Sequence, residues 1–372
     1  MTEPPGHVLM TADCLGGIWD YALTLAGELG RRGTQVTLAV LGGPLAEDQR
    51  AAAQAVPGLS LAESGFKLEW MPDCGDDVAR SGQWLLELER EVKPDLVHIN
   101  GYAHAALPFT APVLCVAHSC VASWFAAVKG EELPERFDGY WESVAAGLAA
   151  AGRVVAPSRT MAADLALHYG VAPEVTVIPN GIDPAGFAPG AKEPVVLSVG
   201  RVWDEAKNIA VLDRVARGIG APVLVAGDVR GPDGTERRPD YAMALGRLPR
   251  AELRDLYARA RIFCHPARYE PFGLAALEAA LSGCALVLGD IPSLREVWGD
   301  AAIYVRPDDV DGLRRALNGL LADSCRAADL AQHARIRARR YTASAMVEAY
   351  LDLYADLREP RAPRAAETAT AA

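Results

Sequence analysis

Short apolar segments alternate with amphipathic helical segments along most of the 372-residue chain. The apolar segments are rich in Val, Ile and Leu without strict alternation, which predicts strands buried on both faces, as in a parallel sheet. In the first half, the predicted strands are His7–Ala12, Gln35–Leu41, Phe66–Trp70, Asp95–Ile99, Pro112–Ala117, Arg153–Ala156 and Val175–Ile178. In the second half, they are Val195–Gly200, Val223–Gly227, Ile262–His265, Ala285–Leu288 and Ala302–Val305.

Segments with helical spacing lie between these strands. Clear examples are Trp19–Arg32, Trp84–Val92, Ser158–Tyr169, Leu253–Ala260 and Val310–Leu321. The repeated strand–helix–strand order predicts an α/β fold with two doubly wound sheets. The break between them is expected in Pro179–Pro194, which is rich in Pro and Gly and has no periodicity. The domains would be residues 1–184 and 185–341, and residues 359–372 are expected to form a disordered tail.

The charge is uneven along the chain. Residues 1–185 carry 11 Lys and Arg against 23 Asp and Glu, a net charge of −12, whereas the remaining residues have a net charge of +1. An acidic half disfavours nucleic acid and anionic membrane surfaces, which attract basic patches. No apolar run reaches the ~18 residues of a membrane-spanning helix, and the N-terminus lacks the basic start of a secretory signal. Seven cysteines without C-x-x-C spacing favour free thiols and a cytoplasmic protein.

Two glycines, Gly16 and Gly17, lie at the predicted turn between the first strand and the helix after it. Glycines at such a turn allow close approach of a ligand to the backbone, and the N–H groups of the new helix favour an anion. A tight turn without a ligand explains the same residues equally well.

The first strand of the second half is followed by Gly200, Arg201 and, six residues after Arg201, Lys207. The carboxyl end of a parallel strand is where open α/β sheets bind ligands. Two cations there suit a diphosphate, with Arg as a fork and Lys as a point charge. The alternative is a pair of solvated surface cations.

A third segment, His265–Ala279, carries two carboxylates. A strand leads to Glu270, a Pro-Phe-Gly turn follows, and Leu274 begins a helix with free N–H groups. Glu278 lies in that otherwise apolar helix, where an ionised carboxylate needs strong hydrogen-bond donors, such as vicinal sugar hydroxyls. The alternatives are a helix N-cap for Glu270 and a buried ion pair with an arginine for Glu278.

The spacing Glu270-x7-Glu278, with Arg201 and Lys207 in G-R-x5-K-N, closely resembles the retaining glycosyltransferases of the GT-B fold, family 4. The resemblance extends over nearly the whole chain and includes Ala156-Pro157-Ser158 and Pro179–Asp183. It implies two Rossmann-like domains facing each other across a cleft. It also implies that a C-terminal helix, residues 342–358, crosses back onto the first domain.

The resemblance implies roles for matching positions. Arg201 and Lys207 would hold the donor diphosphate as it leaves, Glu270 would hold the sugar, and Glu278 would accept from the ribose. His118 matches the family's histidine that faces the sugar, although a packed or capping histidine is the alternative. The implied donor-binding positions are Gly16, Gly17, Gly200, Phe272, Gly273, Leu274, Glu278, Arg247 and Leu248. The expected acceptor-side positions are Asp13, Trp19, Tyr102 and Trp124, of which each aromatic residue could equally be core.

The implied reaction is transfer from a UDP-, GDP- or ADP-sugar to a small-molecule acceptor, with neither metal nor cofactor. Asp309 and Asp311 match the D-x-D string of metal-using sugar transferases, but they precede a helix and are interpreted as N-capping residues. The acidic first domain favours a neutral or cationic acceptor over a membrane lipid, unless the acidity only aids solubility. The competing functions are a sugar-nucleotide epimerase, a phosphorylase and a binding protein without turnover. The phosphorylase is disfavoured because four of the five lysines lie in contexts unsuited to binding pyridoxal phosphate.

Overall fold

The structure is a computed structural model that describes residues 4–170, 175–232 and 234–359. Its strands form two separate sheets. The first sheet contains β1 His7–Asp13, β2 Gln35–Leu41, β3 Leu59–Glu63, β4 Leu96–Ile99, β5 Val113–Val116, β6 Arg153–Ala156 and β7 Val175–Val177. The second contains β8 Glu193–Val199, β9 Val223–Ala226, β10 Met243–Gly246, β11 Ala260–His265, β12 Ala285–Gly289 and β13 Ile303–Val305.

Thirteen α-helices of the described residues cover the two sheets. In the first half they are α1 Gly17–Arg31, α2 Glu47–Gln54, α3 Gly75–Val92, α4 Val121–Lys129, α5 Asp138–Ala150 and α6 Arg159–Tyr169. In the second half they are α7 Ile209–Ala216, α8 Arg250–Arg259, α9 Leu274–Leu281, α10 Pro292–Trp298, α11 Val310–Ala322, α12 Ser324–Ala338 and α13 Ala343–Arg358.

Both sheets are parallel and doubly wound, which confirms the predicted fold class. The strand orders are β3-β2-β1-β4-β5-β6-β7 and β10-β9-β8-β11-β12-β13. Each order reverses beside the first strand of its sheet, between β1 and β4 and between β8 and β11. Ligands of open α/β sheets bind outside the carboxyl ends of the strands at such a reversal. The loops after β1 and β8 are therefore the expected walls of a ligand site.

The third strand of the first sheet is not the predicted one. Phe66–Trp70 was expected to be a strand, but it is a loop, and β3 is formed by Leu59–Glu63 instead. The apolar side chains of the loop cover the core, where Phe66 packs on Trp84 with ring centroids 6.1 Å apart. Strand β10 was not predicted, because it is an edge strand of only four residues, three of them half-buried and one exposed.

The C-terminal helix α13 packs on the first sheet although it follows the second. Its buried side chains Met346, Val347, Tyr350 and Tyr354 join the core formed by β1 and α1. The two chain crossings lie side by side, because Ala343 N–H donates to the Ile182 carbonyl oxygen over 3.0 Å. Of the expected tail, residues 359–372, all but Glu359 lie outside the described residues.

Polar contacts connect the two domains on both sides of the cleft. The Glu296 carboxylate of α10 accepts from the N–H groups of Arg159 and Thr160, at 2.7 and 2.9 Å, and so caps α6. On α4, Lys129 Nζ lies 2.5 Å from the Glu205 carboxylate. These contacts hold the carboxyl ends of the two sheets face to face.

Two sequence-based predictions concern features outside the cleft. All seven cysteines are free, as expected from their spacing. Within the described ranges, the structure contains no helix with the length and apolar character needed to span a bilayer.

Candidate active site

The glycine turn after β1 faces the loop after β8. Arg201 Nη1 lies 3.4 Å from the Leu15 carbonyl oxygen, and a Cβ built on Gly16 would lie 3.6 Å from the same nitrogen. A Cβ on Gly17 would lie 3.5 Å from Leu274 at the start of α9. Gly16 has φ +114°, which other residues rarely adopt, so the turn needs glycine at this position for its backbone conformation.

Arg201 is oriented by a buried carboxylate that sequence reasoning did not single out. Its Nη2 donates to Asp204 over 2.7 Å, and Asp204 also accepts from Trp124 Nε1 of the first domain over 3.3 Å. Burial opposes ionisation of Asp204, but the charges of Arg201 and Lys207 outweigh it and lower the pKa of Asp204. Asp204 lies inside the G-R-x5-K-N segment, so a carboxylate close to both Arg201 and Lys207 was visible in the sequence.

Lys207 and Glu270 meet although 63 residues separate them. Lys207 Nζ lies 2.8 Å from Glu270 Oε2, and His265 Nε2 lies 3.1 Å from the same oxygen. Burial raises the pKa of the Glu270 carboxyl, but Lys207 and His265 hold it well below its usual range. The carboxylate is therefore ionised at neutral pH. Glu270 is not a helix cap, because Gly273 is the N-cap residue of α9.

The backbone around Lys207 is held by an unusual conformation. Asn208 has φ +56°, and its side-chain amide donates to the carbonyl oxygens of Pro266 and Pro307, each over 2.8 Å. A Cβ on Gly200 would lie 3.4 Å from Lys207 Cγ. These contacts fix the side chain of Lys207 beside the start of α9.

Helix α9 begins at the site. Gly273 has φ +92°, and Phe272 is buried against Tyr341, with ring centroids 5.4 Å apart. The first N–H groups of a helix have no partner within the helix, so this end can bind an anion. Arg201 and Lys207 lie beside this helix end, each held by a carboxylate, Asp204 and Glu270 respectively, so two fixed cations and the helix N–H groups meet at one place.

Glu278 lies one turn into α9 and is largely buried. Arg250 Nη2 is 3.9 Å from Glu278 Oε1, while Arg250 Nη1 is 2.6 Å from Asp20 of the first domain. Burial and the Asp20 charge raise the pKa of Glu278 to about 7, against the opposing effect of Arg250. The alternative for Glu278 was a buried ion pair with an arginine, and among the described residues the structure shows only the long contact with Arg250. The Glu278 carboxylate can therefore still accept hydrogen bonds from a ligand.

The loop after β10 also reaches the first domain. Arg247 Nη2 lies 3.1 Å from Asp48, an exposed ion pair across the cleft, and Leu248 beside it is half-buried. Both residues follow the carboxyl end of β10, on the same side of the sheet as Gly200.

His118 follows β5 at the cleft and is oriented by Asn100. Its Nε2 lies 2.9 Å from Asn100 Oδ1, and its ring packs edge-on against Tyr21 with centroids 4.5 Å apart. Burial lowers the pKa of His118 to about 3, so the imidazole is neutral at physiological pH. Asn100 was missed by the sequence analysis, although it is a polar residue at the carboxyl end of a buried central strand.

The acceptor-side predictions divide into two pairs. Trp19 and Tyr102 are only 5% and 3% exposed and belong to the core, which is the alternative that the sequence left open for them. Trp19 lies at the start of α1 and faces the sheet, and the Tyr102 hydroxyl donates to the Ser119 carbonyl over 2.8 Å. Trp124, by contrast, contacts the opposite domain, and Asp13 lies at the glycine turn, where burial raises its pKa to about 7.

Of the D-x-D string, Asp309 is a helix cap, as predicted, whereas Asp311 lies in the first turn of α11 and pairs with Arg314. Asp309 Oδ1 accepts from the Gly312 N–H over 2.8 Å at the start of α11. Across the described ranges, no cluster of three or more His, Cys, Asp or Glu side chains is placed to hold a metal ion.

Two family models match the chain, one for each domain. The model described as Glycosyltransferase Family 4 matches residues 15–185, and the model described as Glycosyl transferases group 1 matches residues 193–323. The chain belongs to glycosyltransferase family 4. The second of these matches contains the whole cluster of Arg201, Lys207, Glu270 and Glu278.

Curated relatives of this glycosyltransferase carry several names. It is 29% identical to a glycogen synthase of Mycobacterium tuberculosis over 330 residues, 79% of this chain and 78% of the relative. It is 27% identical to a D-inositol 3-phosphate glycosyltransferase of Xylanimonas cellulosilytica over 94% of each chain.

Solved structures share the fold of this glycosyltransferase. Sucrose-phosphate synthase of Thermosynechococcus elongatus superposes with a TM-score of 0.76 at 21% identity, over 94% of this chain and 98% of the other. Anabaena HepE in complex with UDP-glucose gives 0.73 at 17% identity, over 94% and 99%. At these identities the likeness establishes the GT-B architecture alone.

Proposed function

We propose that this glycosyltransferase moves a sugar from a nucleoside-diphosphate sugar to an acceptor with retention of anomeric configuration. The observation that carries the proposal is the meeting of Arg201, Lys207 and the start of α9 in front of the glycine turn. Departure of a nucleoside diphosphate builds negative charge on its phosphate. Fixed cations and helix N–H groups aimed at that charge stabilise the transition state.

The proposed transfer is a front-face reaction. The acceptor oxygen bonds to the anomeric carbon on the side from which the diphosphate leaves, while the bond from that carbon to the phosphate oxygen breaks. The acceptor proton passes to the departing phosphate. The new bond forms and the old bond breaks on the same face of the anomeric carbon, so the configuration is retained. Glu270, ionised and held by Lys207, would accept from sugar hydroxyls.

The donor is proposed to be a UDP-, GDP- or ADP-sugar, with Glu278 on its ribose and the loop of Arg247 and Leu248 beside its base. One similar structure contains UDP-glucose. We propose that no metal takes part, because Arg201 and Lys207 supply the charge that a cation would supply. A cytoplasmic location is consistent with seven free thiols.

The test is an assay of the full chain with a donor panel and an acceptor panel. The expected result is release of free nucleoside diphosphate only when both are present, with a product whose anomeric configuration, read by NMR, matches the donor. Activity should persist in EDTA, and rescue by Mn²⁺ after its loss would overturn the metal-free mechanism. Sugar isomerisation without diphosphate release would indicate an epimerase, and donor binding without turnover a binding protein.

Donor affinity is expected to depend on pH through Glu278. Only the ionised carboxylate is a full acceptor for two ribose hydroxyls, and its pKa of about 7 means that the ionised fraction rises through neutral pH. The KM for the donor should therefore fall roughly tenfold between pH 6 and pH 8. Glu278→Gln should bind the donor weakly with a flat profile. If Glu278→Gln kept the pH profile of the native enzyme, the ribose assignment would be contradicted. The titrating group would then be another one, such as Asp13, whose pKa is also about 7.

The acceptor is proposed to be a neutral or cationic small molecule, because residues 1–185 carry a net charge of −12. One relative is named for an anionic acceptor, inositol 3-phosphate, which is the competing class. For a cationic acceptor, kcat/KM is expected to fall as salt rises from 50 to 500 mM, whereas a neutral acceptor should show little change. Preference for a phosphorylated acceptor or a lipid in anionic liposomes would contradict this proposal.

A further inference from the structure

A buried chain of hydrogen bonds leads from the C-terminal helix α13 to His118. The Tyr354 hydroxyl lies 2.7 Å from His98 Nδ1, and His98 Nε2 lies 3.1 Å from Asn100 Oδ1. His118 Nε2 lies 2.9 Å from that same amide oxygen. Tyr354 and His98 are completely buried, and Asn100 nearly so. We call these four residues the buried polar chain.

The backbone of β1 fixes the orientation of the Asn100 amide. Its Nδ2 donates to the Thr11 carbonyl oxygen over 2.7 Å, and its main-chain N–H donates to Thr11 Oγ1 over 2.8 Å. A carbonyl oxygen can only accept, so the amide NH₂ must face Thr11 and the amide oxygen must face the imidazoles. The opposite orientation of the amide would place two acceptors against each other.

This orientation determines the proton positions on both histidines. An amide oxygen has no proton to give, so His98 and His118 must each donate through Nε2. His98 Nδ1 is then an acceptor for the Tyr354 hydroxyl, and the Tyr21 hydroxyl, 3.3 Å from His98 Nε2, shares that donor. In the described part of the chain, His118 Nδ1 has no hydrogen-bond partner, and it remains an acceptor.

The surroundings keep both imidazoles uncharged. No carboxylate or cation of the described residues lies within hydrogen-bond distance of either ring. The titratable groups packed against them are Tyr21 of α1 and Tyr350 of α13, besides Tyr354. Burial lowers the pKa of both histidines to about 3.

We propose that Asn100 is a positioning residue that holds His118 in the Nε2-protonated tautomer, so that Nδ1 is free to accept from a hydroxyl of the donor sugar. His98 donates to the Asn100 amide oxygen, and Tyr354 donates to His98, so both residues help to fix the amide. The part that concerns the sugar rests on the proposed function, whereas the tautomer does not. In the opposite tautomer, Nδ1–H would be a donor and Nε2 would face an oxygen that cannot donate.

The tautomer is tested directly by ¹⁵N NMR of the full chain labelled at histidine, with His118 assigned from a His118→Gln spectrum. The expected result is a neutral imidazole protonated at Nε2 from pH 6 to pH 8. A charged imidazolium, or protonation at Nδ1, would overturn the proposal. This readout needs no substrate, so it stands even if no sugar transfer is found.

Asn100→Asp tests the positioning role in the working enzyme. A carboxylate beside the two imidazoles raises their pKa, so His118 should become charged near neutral pH and Nδ1 should become a donor. The expected result is a ~10-fold loss of kcat/KM at pH 6.5, the equivalent of one hydrogen bond, with recovery as the pH rises. An active variant with the native pH profile and the native His118 signals would overturn the role of Asn100.

Helix α13 offers a matched pair of variants. Tyr354→Phe removes the hydroxyl that donates to His98, whereas Tyr350→Phe removes an equally buried hydroxyl that bonds neither imidazole. Tyr354→Phe should shift the ¹⁵N signals of His98 and lower kcat severalfold, while Tyr350→Phe should do neither. Equal effects of the two variants would mean that the hydrogen bonds of the buried polar chain do not position His118 and that its residues have only a packing role.

Discussion

Replacing Arg201 or Lys207 by alanine is expected to lower kcat by at least ~10²-fold while the protein stays folded, as for the loss of a pre-organised donor in other enzymes. The structure gives the reason. Arg201 is held by Asp204 and lies beside the glycine turn, and Lys207 is held by Glu270, so both charges are fixed before the donor arrives. Fixed charges need no reorganisation when the phosphate departs. The measurement is kcat for diphosphate release at saturating donor and acceptor, with circular dichroism as the check on folding.

Arg259→Ala is the matched control for this pair. Arg259 makes an ion pair with Glu193, at the opposite end of β8 from Gly200, with Nε 2.8 Å from the carboxylate. Exposed ion pairs of this kind contribute little to stability, so both Tm and kcat should stay close to the native values. Near-native turnover in Arg201→Ala or Lys207→Ala would contradict the assignment of the leaving-group site.

Replacing Gly227 by alanine is expected to cost at least ~3 kcal/mol of folding free energy and to remove most of the activity. Gly227 follows β9 with φ +144°, and a Cβ there would lie 2.0 Å from the Gly200 carbonyl oxygen. That oxygen is backbone, so it cannot rotate away as a flexible side chain would. Room for the methyl group requires a shift of the loop that carries Arg201.

Gly246→Ala separates the steric effect from the conformational one. Gly246 ends the neighbouring strand β10, accepts a hydrogen bond from the Gly227 N–H, and has φ +69°. A Cβ there would meet nothing within 4 Å, so only the strain of a left-handed alanine remains, ~1–2 kcal/mol. Denaturant unfolding of both variants is the measurement. An equal loss of stability in the two would show that the Gly200 loop yields to the methyl group without cost.

Two carboxylates of the second domain, Asp204 and Glu278, interact with residues of the first domain. Asp20 of α1 sets the charge around Glu278 of α9, and Trp124 of α4 donates to the carboxylate that orients Arg201. Asp204 and Glu278 are therefore both tuned by first-domain groups at the closed cleft. Separation of the domains would remove these partners and expose both carboxylates to water, so domain closure and the assembly of the charged site are physically coupled.

Much of the fold and part of the site could be predicted from the sequence, because each rests on short-range patterns. Apolar runs bounded by turns defined eleven of the predicted strands, and the repeated strand–helix order required parallel sheets. Arg201 and Lys207 follow one strand closely, and Glu270 and Glu278 belong to one strand–turn–helix unit. Such local units place their residues together whatever the rest of the chain does.

Only the tertiary structure decided which side chains meet and what charge they carry. Trp19 and Trp124 are similar residues in similar helices, yet one faces the sheet and the other faces the second domain. The ionisation of Glu278 and the tautomer of His118 depend on contacts with Asp20 and Asn100, whose distances follow from how the chain packs and not from sequence spacing. Burial and electrostatic interactions depend on distances in space, and those distances are set by how the helices pack and how the domains close.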